Sequence, residues 1–265
     1  MSDGTIINEA PDGKFAHDPE PLEKNLPEIS RQLKEGQYDI GFVQDADADR
    51  LVILDENGRF IGEDYSLGFC LDYILGFEQA NASSKDVVVN LSTSRVIEDI
   101  CSKHNATLHY TRIGEPHVTA KIKDINAVAG GEGNGGIIYP KIGWGRDSLV
   151  GIVLALKHLA ETKKKVSEIV QTYPSYHMAR DKFHISTKEE VSSFLDKVKR
   201  HYDSSPVNTI DGVKVMLQDS WIHVRPSNTE PIVRIFVEAK TKEIADNLIQ
   251  TTHFCTYLKD YTIVY

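Results

Sequence analysis

The chain has 265 residues, 40% apolar and 26% charged, with a formal net charge of −9 at pH 7. That length holds roughly two or three modest domains with a real buried core. The acidic balance argues against a nucleic-acid partner, because the one basic cluster is the short Lys163-Lys164-Lys165. No apolar run approaches the ~18 residues of a membrane span and no signal peptide is evident, so a soluble protein without a membrane partner is expected. Cys70, Cys101 and Cys255 stand singly in apolar settings with no metal-type pairing, as reduced core residues of a cytoplasmic protein do.

In chain order, residues 1–15 are polar and turn-rich. Leu22, Leu26, Ile29 and Leu33 then mark one face of a helix by their spacing. A strand over Tyr38–Val43 follows, then the run Asp45-Ala46-Asp47-Ala48-Asp49-Arg50, then a strand over Leu51–Leu54. Three carboxylates two residues apart at the end of a buried strand carry a charge density that a fold does not hold without a counter-ion. Oxygen ligands in that number suit a hard cation such as Mg2+, which keeps places free for a phosphate oxygen. An EF-hand loop also begins with alternating acids and would end at Glu56, but its sixth position requires glycine and here is Arg50. A plain solvated acidic turn is the other reading, and the apolar strands on both sides argue against it. Asp55-Glu56-Asn57-Gly58 reads as a hairpin turn. One helix and a few strands make too little for a stable domain, so residues 1–61 read as half of one.

From 62 to 163 strands and helices alternate. Strand Asp86–Asn90 leads to a helix with Val96, Ile97, Ile100, Cys101 and His104 on one side. Strand Thr107–Thr111 leads to a helix bearing Val118, Ile122 and Ile125, and then to a short strand over Ala127–Ala129. A last helix shows Leu149, Val153, Leu156 and Ala160 in register. This alternation predicts an α/β fold with mixed, mostly parallel sheets covered by helices. The segment from Glu161 to Ser175 is charged and then Pro-bearing, and 164–172 within it reads as a linker. Beyond it, 173–265 reads as a separate α+β domain: a strand over Ala179–Ser186, a helix opened by the capping box Thr187-Lys188-Glu189-Glu190, strands Val213–Leu217, Trp221–Arg225 and Ile232–Glu238, and a last helix capped by Thr241.

Two further loops carry chemistry. Gly131-Glu132-Gly133-Asn134-Gly135-Gly136 formally matches the dinucleotide pattern, but that fingerprint needs a helix immediately afterwards, and Ile137-Ile138-Tyr139-Pro140 is a short strand. The loop offers a carboxylate, an amide and close-approaching N–H groups, which suit sugar hydroxyls; the bland reading is a flexible connector. Arg225-Pro226-Ser227-Asn228-Thr229-Glu230-Pro231, with Arg234 three residues on, offers a bidentate arginine and neutral donors around a tight turn, a natural phosphate cradle. The bland reading there is a polar turn with solvated arginines.

Together these loops resemble the α-D-phosphohexomutases, the family of phosphoglucomutase, phosphomannomutase and phosphoglucosamine mutase. Asp45–Arg50 matches the family's metal motif, Gly131–Gly135 is similar to its sugar-binding loop, though the histidine often found at the sixth position is Gly136, and Arg225–Pro231 is similar to its phosphate-binding loop. Arg112-Ile113-Gly114 resembles its sugar-contacting turn. His17–Pro21 with Asn25-Leu26 is family-like too, so the resemblance spans essentially the whole chain. It implies that 1–61 is the second half of the family's second domain (with the metal loop), 62–163 its third and 173–265 its fourth. It also implies a magnesium-dependent mutase that converts a hexose 6-phosphate into a hexose 1-phosphate through a phosphoserine and a bisphosphate intermediate. Asp45, Asp47 and Asp49 would hold the metal, Arg50 would face the transferring phosphoryl, and Glu132 and Asn134 would grip sugar hydroxyls beside Arg112 and Gly114. Arg225, Ser227, Asn228 and Thr229 would hold the stationary phosphate. The family's phosphorylated serine loop has no counterpart in these 265 residues, which are therefore expected to be inactive alone. The rival reading is a non-catalytic sugar-phosphate-binding module. The Gly133-Asn134-Gly135-Gly136 ending favours a phosphoglucosamine mutase over a phosphomannomutase.

Overall fold

The computed structural model describes residues 4–10, 12–15, 17–78, 85–185, 187–227 and 230–255. Helix α1 (Pro27–Glu35) opens with proline, whose fixed φ suits a first turn, and lays Leu26 and Leu33 against Val43 and Leu54. Strands β1 (Gly41–Gln44) and β2 (Leu51–Leu54) pair antiparallel, Gly41 opposite Leu54 and Gln44 opposite Leu51, so the aspartate run is the connection between them. All of β2 is buried, because its Leu51 and Ile53 face away from α1 into the central core. A tight turn follows, with Asp55 Oδ1 accepting the N–H groups of Asn57 and Arg59. Between β1 and the outer side of the helix over 148–162 lies a groove lined by Ile6, Phe15, Leu33, Ile40, Phe42 and Leu156.

The central body contains α2 (Glu63–Tyr73), β3 (Asp86–Asn90), α3 (Val96–Lys103), β4 (Thr107–Thr111), α4 (Glu115–Ile125), β5 (Ala129–Glu132), β6 (Gly136–Ile138), α5 (Ser148–Thr162) and α6 (Val166–Val170). Its sheet runs β4-β3-β5-β6, parallel except for the antiparallel β5–β6 hairpin. Val118 and Ile122 of α4 close one face over Val88 and Ile138, while α2, α3 and α5 pack on the other. This is the expected α/β architecture. The C-terminal body contains β7 (His177–His184), α7 (Lys188–His201), β8 (Val207–Asn208), β9 (Val213–Met216), β10 (Ser220–Pro226), β11 (Ile232–Ala239) and α8 (Lys242–Phe254). Its sheet, ordered β7-β11-β10-β9-β8, is antiparallel throughout, with α7 and α8 packed on it. Thr187 and Thr241 cap α7 and α8 as their sequences imply. Cys70, Cys101 and Cys255 are buried free thiols, and no helix of the described residues is long and apolar enough to cross a membrane.

Three sequence expectations are corrected. The buried stripe of α5 is Gly151, Leu154, Ala155 and His158, whereas Leu149 and Val153 are 65% and 55% exposed. The helix is apolar on two sides, and its small residues let that side close against α2. The stretch 164–172 holds α6, with Val166 and Ile169 in the central core, so its charged residues decorate a packed turn rather than a free connector. Helix α2, which the periodicity did not reveal, is the middle of the core: every residue from Ser66 to Tyr73 is buried.

One charge inside α2 locks its neighbours. Asp72 accepts from His104 Nε2 at 2.5 Å, Lys103 Nζ at 2.9 Å and Tyr173 O–H at 2.9 Å. Burial pushes its carboxyl up, but the hydrogen bonds from His104, Lys103 and Tyr173 outweigh it and hold the group below the usual aspartate range. A depressed folded-state value contributes stability that is complete at neutral pH and lost as pH falls below about 4, toward the folded-state value. Asp72→Asn is expected to cost about 3 kcal/mol at pH 7 and to flatten the acid limb of stability against pH, read by urea unfolding between pH 3 and 7. An unchanged acid limb would remove Asp72 from that role.

Candidate active site

The aspartate loop folds upon itself. Asp45 Oδ1 accepts the N–H groups of Asp49 at 3.1 Å and Arg50 at 3.0 Å, and Ala48 takes a left-handed φ of 56°. Ser148, the first residue of α5, donates to Ala48 O at 2.5 Å and accepts from Gln44 Nε2 at 2.6 Å, so the start of α5 shapes the loop. Carboxylate oxygens of Asp45, Asp47 and Asp49 thereby come within 4.8 Å of one another. Arg50 Nε lies 3.2 Å from Asp45 Oδ2 and 3.8 Å from Asp49 Oδ1. Asp49 Oδ1 is buried without a hydrogen-bond donor. An all-oxygen donor set with an orphaned buried carboxylate oxygen fits a divalent cation of the magnesium type.

The glycine-rich run is a β-hairpin rather than a nucleotide loop: Gly131 and Glu132 belong to β5, Gly136 begins β6, and no helix follows. Gly135 sits at φ 89°, and its carbonyl accepts the Leu51 N–H at 3.1 Å, which presses the hairpin against the strand leaving the aspartate loop. Glu132 is 3% exposed. Its Oε1 accepts from Asn90 Nδ2 at 2.8 Å and from the Gly114 N–H at 3.0 Å; its Oε2 accepts from Arg146 Nη1 at 2.9 Å. One lone pair on Oε2 remains for a further donor. Asn134, half-buried, turns its Oδ1 onto the Gly136 N–H at 3.3 Å. Arg146 then reaches Asp49 Oδ2 with Nη2 and lies 3.2 Å from Glu115 Oε2 with Nε.

On the far side, Arg112 is exposed and donates through Nε to Ile210 O at 2.9 Å, while the next N–H, of Ile113, donates to Asp211 Oδ2 at 2.9 Å. Asp211 Oδ1 is 3.6 Å from Arg225 Nε, which is buried and without a hydrogen-bond partner. Arg225 stands opposite Arg234 across β10 and β11, and Arg234 pairs with Glu230 at 2.9 Å. Ser227 closes the turn by donating its N–H to Ile232 O at 2.9 Å. Asn228 and Thr229 lie outside the described residues. The polar series Asp49–Arg146–Glu132–Gly114, continued by Ile113–Asp211–Arg225, thus joins three loops that are far apart in sequence.

Buried polar contacts hold the C-terminal body in place. His223 Nε2 donates to Asp211 O at 2.6 Å, so Nδ1 accepts from Ser92 Oγ at 2.8 Å, and burial pushes the imidazole down to about 4. Lys214 donates to Leu91 O at 2.8 Å and lies 4.2 Å from the Trp221 ring centroid; burial pushes its amine down to about 8. Glu238 accepts from Trp221 Nε1 at 2.8 Å and from the Arg95 N–H at 2.9 Å, and burial raises its carboxyl. Asp64, buried behind the hairpin, accepts the Ser94 N–H at 2.8 Å and is pushed by burial up to about 8.

Phosphoglucomutase/phosphomannomutase models match in sequence order: alpha/beta/alpha domain II over residues 5–58, alpha/beta/alpha domain III over 63–176 and the C-terminal domain over 182–252. This chain belongs to the phosphoglucomutase/phosphomannomutase family. It is 35% identical to a phosphoglucomutase/phosphomannomutase of Thermococcus kodakarensis, over 92% of this chain and 53% of that protein. It is also 35% identical to a phosphoglucosamine/phosphogalactosamine mutase of Sulfurisphaera tokodaii, over 88% and 51%. The chain spans about half the length of the curated relatives it matches. A crystal structure of a family protein from Burkholderia thailandensis shares the fold with a TM-score of 0.75 at 21% identity, covering 90% of this chain and 51% of that one. An Aspergillus fumigatus N-acetylphosphoglucosamine mutase, in complex with GlcNAc-6P and magnesium, shares it with a TM-score of 0.61 at 17% identity, covering 81% and 48%.

Sequence reasoning missed Arg146, Asn90 and Asp211. For Arg146 a signal existed: an arginine directly after the glycine-punctuated stretch Gly143–Gly145 and directly before the helix cap Asp147. Gly135→Ala is expected to destabilise the protein by about 2 kcal/mol, since the left-handed backbone disfavours a side chain and a Cβ would overlap the Leu51 carbonyl. Shifted Leu51 and Asp49 amide signals together with a lowered urea midpoint would register it; signals at their wild-type positions would refute the close approach.

Proposed function

We propose that these residues form the metal-, sugar- and phosphate-binding portion of a phosphohexomutase that interconverts hexose 6-phosphate and hexose 1-phosphate through a phosphoserine and a bisphosphate intermediate in the whole protein. The observation that supports this reading is the continuous polar series from Asp49 through Glu132 to Arg225, which links the aspartate loop, the Gly131–Gly136 hairpin and the arginine at the end of β10. Asp45, Asp47 and Asp49 would hold magnesium, which when bound neutralises charge on a phosphoryl group in transfer. Arg50, held between Asp45 and Asp49, faces that phosphoryl. Asn134 and the remaining Oε2 lone pair of Glu132 meet sugar hydroxyls beside Arg112 and the Gly114 turn. Arg225, Ser227, Asn228, Thr229 and Arg234 hold the stationary phosphate. The magnesium and GlcNAc-6P of the Aspergillus complex support the choice of cation and substrate class. The Sulfurisphaera relative supports an amino sugar, in line with the Gly-Asn-Gly-Gly ending. Three buried, unpaired thiols suit the reducing cytoplasm.

On this reading the 265 residues bind but do not turn over, because covalent phosphoryl transfer needs an activated nucleophile and the family-type serine loop is not among them. Conversion of glucosamine 6-phosphate to its 1-phosphate by the purified chain alone would overturn that. Calorimetry is expected to find magnesium binding that Asp47→Asn weakens about tenfold or more. Hexose phosphates are expected to shift the Ser227 amide signal in the wild type and not in Arg225→Ala. Equal magnesium affinity in Asp47→Asn refutes the cation site, and a shift that survives Arg225→Ala refutes the cradle.

A further inference from the structure

One guanidinium lies against three acids from three segments. Arg146, with its side chain 15% exposed, hydrogen-bonds Asp49 Oδ2 through Nη2 and Glu132 Oε2 through Nη1 at 2.9 Å, while its Nε lies 3.2 Å from Glu115 Oε2 in an ion pair without a hydrogen bond. Its stem crosses the hairpin where a side chain would block it: a Cβ at Gly136 would overlap Arg146 Cδ and Cγ. The missing side chain at 136 and the arginine at 146 are therefore a matched pair. Two residues further on, Ser148 holds the Ala48 carbonyl of the aspartate loop, so Arg146 and the loop are built from one anchor. Asp49 consequently has one oxygen committed to Arg146 and the other, Oδ1, buried without a hydrogen-bond donor.

We propose that Arg146 is a positioning residue that acts as the built-in counter-ion of the aspartate site, competing with the divalent cation for Asp49 and passing the state of that site to the sugar hairpin through Glu132. This inference rests on the metal-site reading above. In the free protein the guanidinium offsets the repulsion among Asp49, Glu132 and Glu115. A cation bound through Asp49 would meet a positive charge at contact range, and like charges that close repel strongly where both side chains are largely buried. Loading the site therefore loosens Arg146 from Asp49 while Glu132 and Glu115 retain it. Arg50 does not fill this role, because its contacts stay within the aspartate loop and do not include the hairpin.

The test uses the whole 265-residue chain with Mn2+ as the probe, free ion being counted by electron paramagnetic resonance at low salt. Arg146→Met keeps the apolar stem and removes the charge; it is expected to tighten Mn2+ binding about tenfold, while Arg146→Lys, which keeps the charge, stays near wild type. A purely structural role predicts the opposite sign, since a loosened loop binds metal less well. A Mg2+ titration adds a second readout: the Glu132 and Gly114 amide signals should move in the wild type and stay still in Arg146→Met. Gly136→Ala, which pushes the stem off the hairpin, should also tighten Mn2+ binding and serves if Arg146→Met does not fold. Unchanged or weaker Mn2+ binding in folded Arg146→Met overturns the proposal and leaves the metal site standing. If Mn2+ binding to the wild type is absent or survives Asp47→Asn, the metal-site reading itself fails and this inference with it.

Discussion

A buried carboxylate needs donors on every side, and Glu132 draws its donors from three places that the chain would otherwise leave independent. Asn90 comes from the end of β3, the Gly114 N–H from the start of α4, and Arg146 from the loop before α5. Removing any of them would leave a charge in a low-dielectric setting, a penalty of several kcal/mol in general. These three segments are therefore assembled around a single anion rather than standing as separate loops. Gly114 fits this demand as well: at φ 118° it turns the chain so that its N–H, at the head of α4, points back to the carboxylate.

The same economy explains why the first segment holds its shape. Two short strands and one helix bury too little to stand alone. Leu51 and Ile53 give one face of β2 to the central core, while Leu54 and Val43 give the other to α1. The aspartate loop is thus suspended between a strand locked from both sides and a helix whose first residue, Ser148, holds Ala48 O. A charged loop on such supports takes its shape from the fold on both sides of it.

Much of this was legible in local sequence. The alternating aspartates, the capping threonines Thr187 and Thr241, the hairpin at Gly58 and most strands are signals spanning a few residues, and the structure has them in place. Helix α2 escaped because Ser66–Tyr73 is buried on all sides and so has no contrast between faces for a periodicity to reveal. Helix α5 offers two apolar stripes, and only tertiary packing selects the one with Gly151 and Ala155. Arg146 and Asp211 went unassigned for a related reason: each reads as an ordinary charged residue in a turn until the fold sets it beside a partner almost a hundred positions away.

The junction with the C-terminal body follows a different logic from the core. Lys214, Glu238, His223 and Asp64 are buried there, and burial opposes the charged form of each. Such groups add little net stability compared with apolar residues of the same size. They do fix orientation, because three of them reach across to the central body at set positions: Lys214 to Leu91 O, Glu238 to the Arg95 N–H and His223 to Ser92 Oγ. An apolar junction could slide; this one has a register. Arg225 sits two residues beyond His223 on β10, and Asp211 holds both, so the register that Ser92 and Leu91 impose also sets how far Arg225 stands from Glu132.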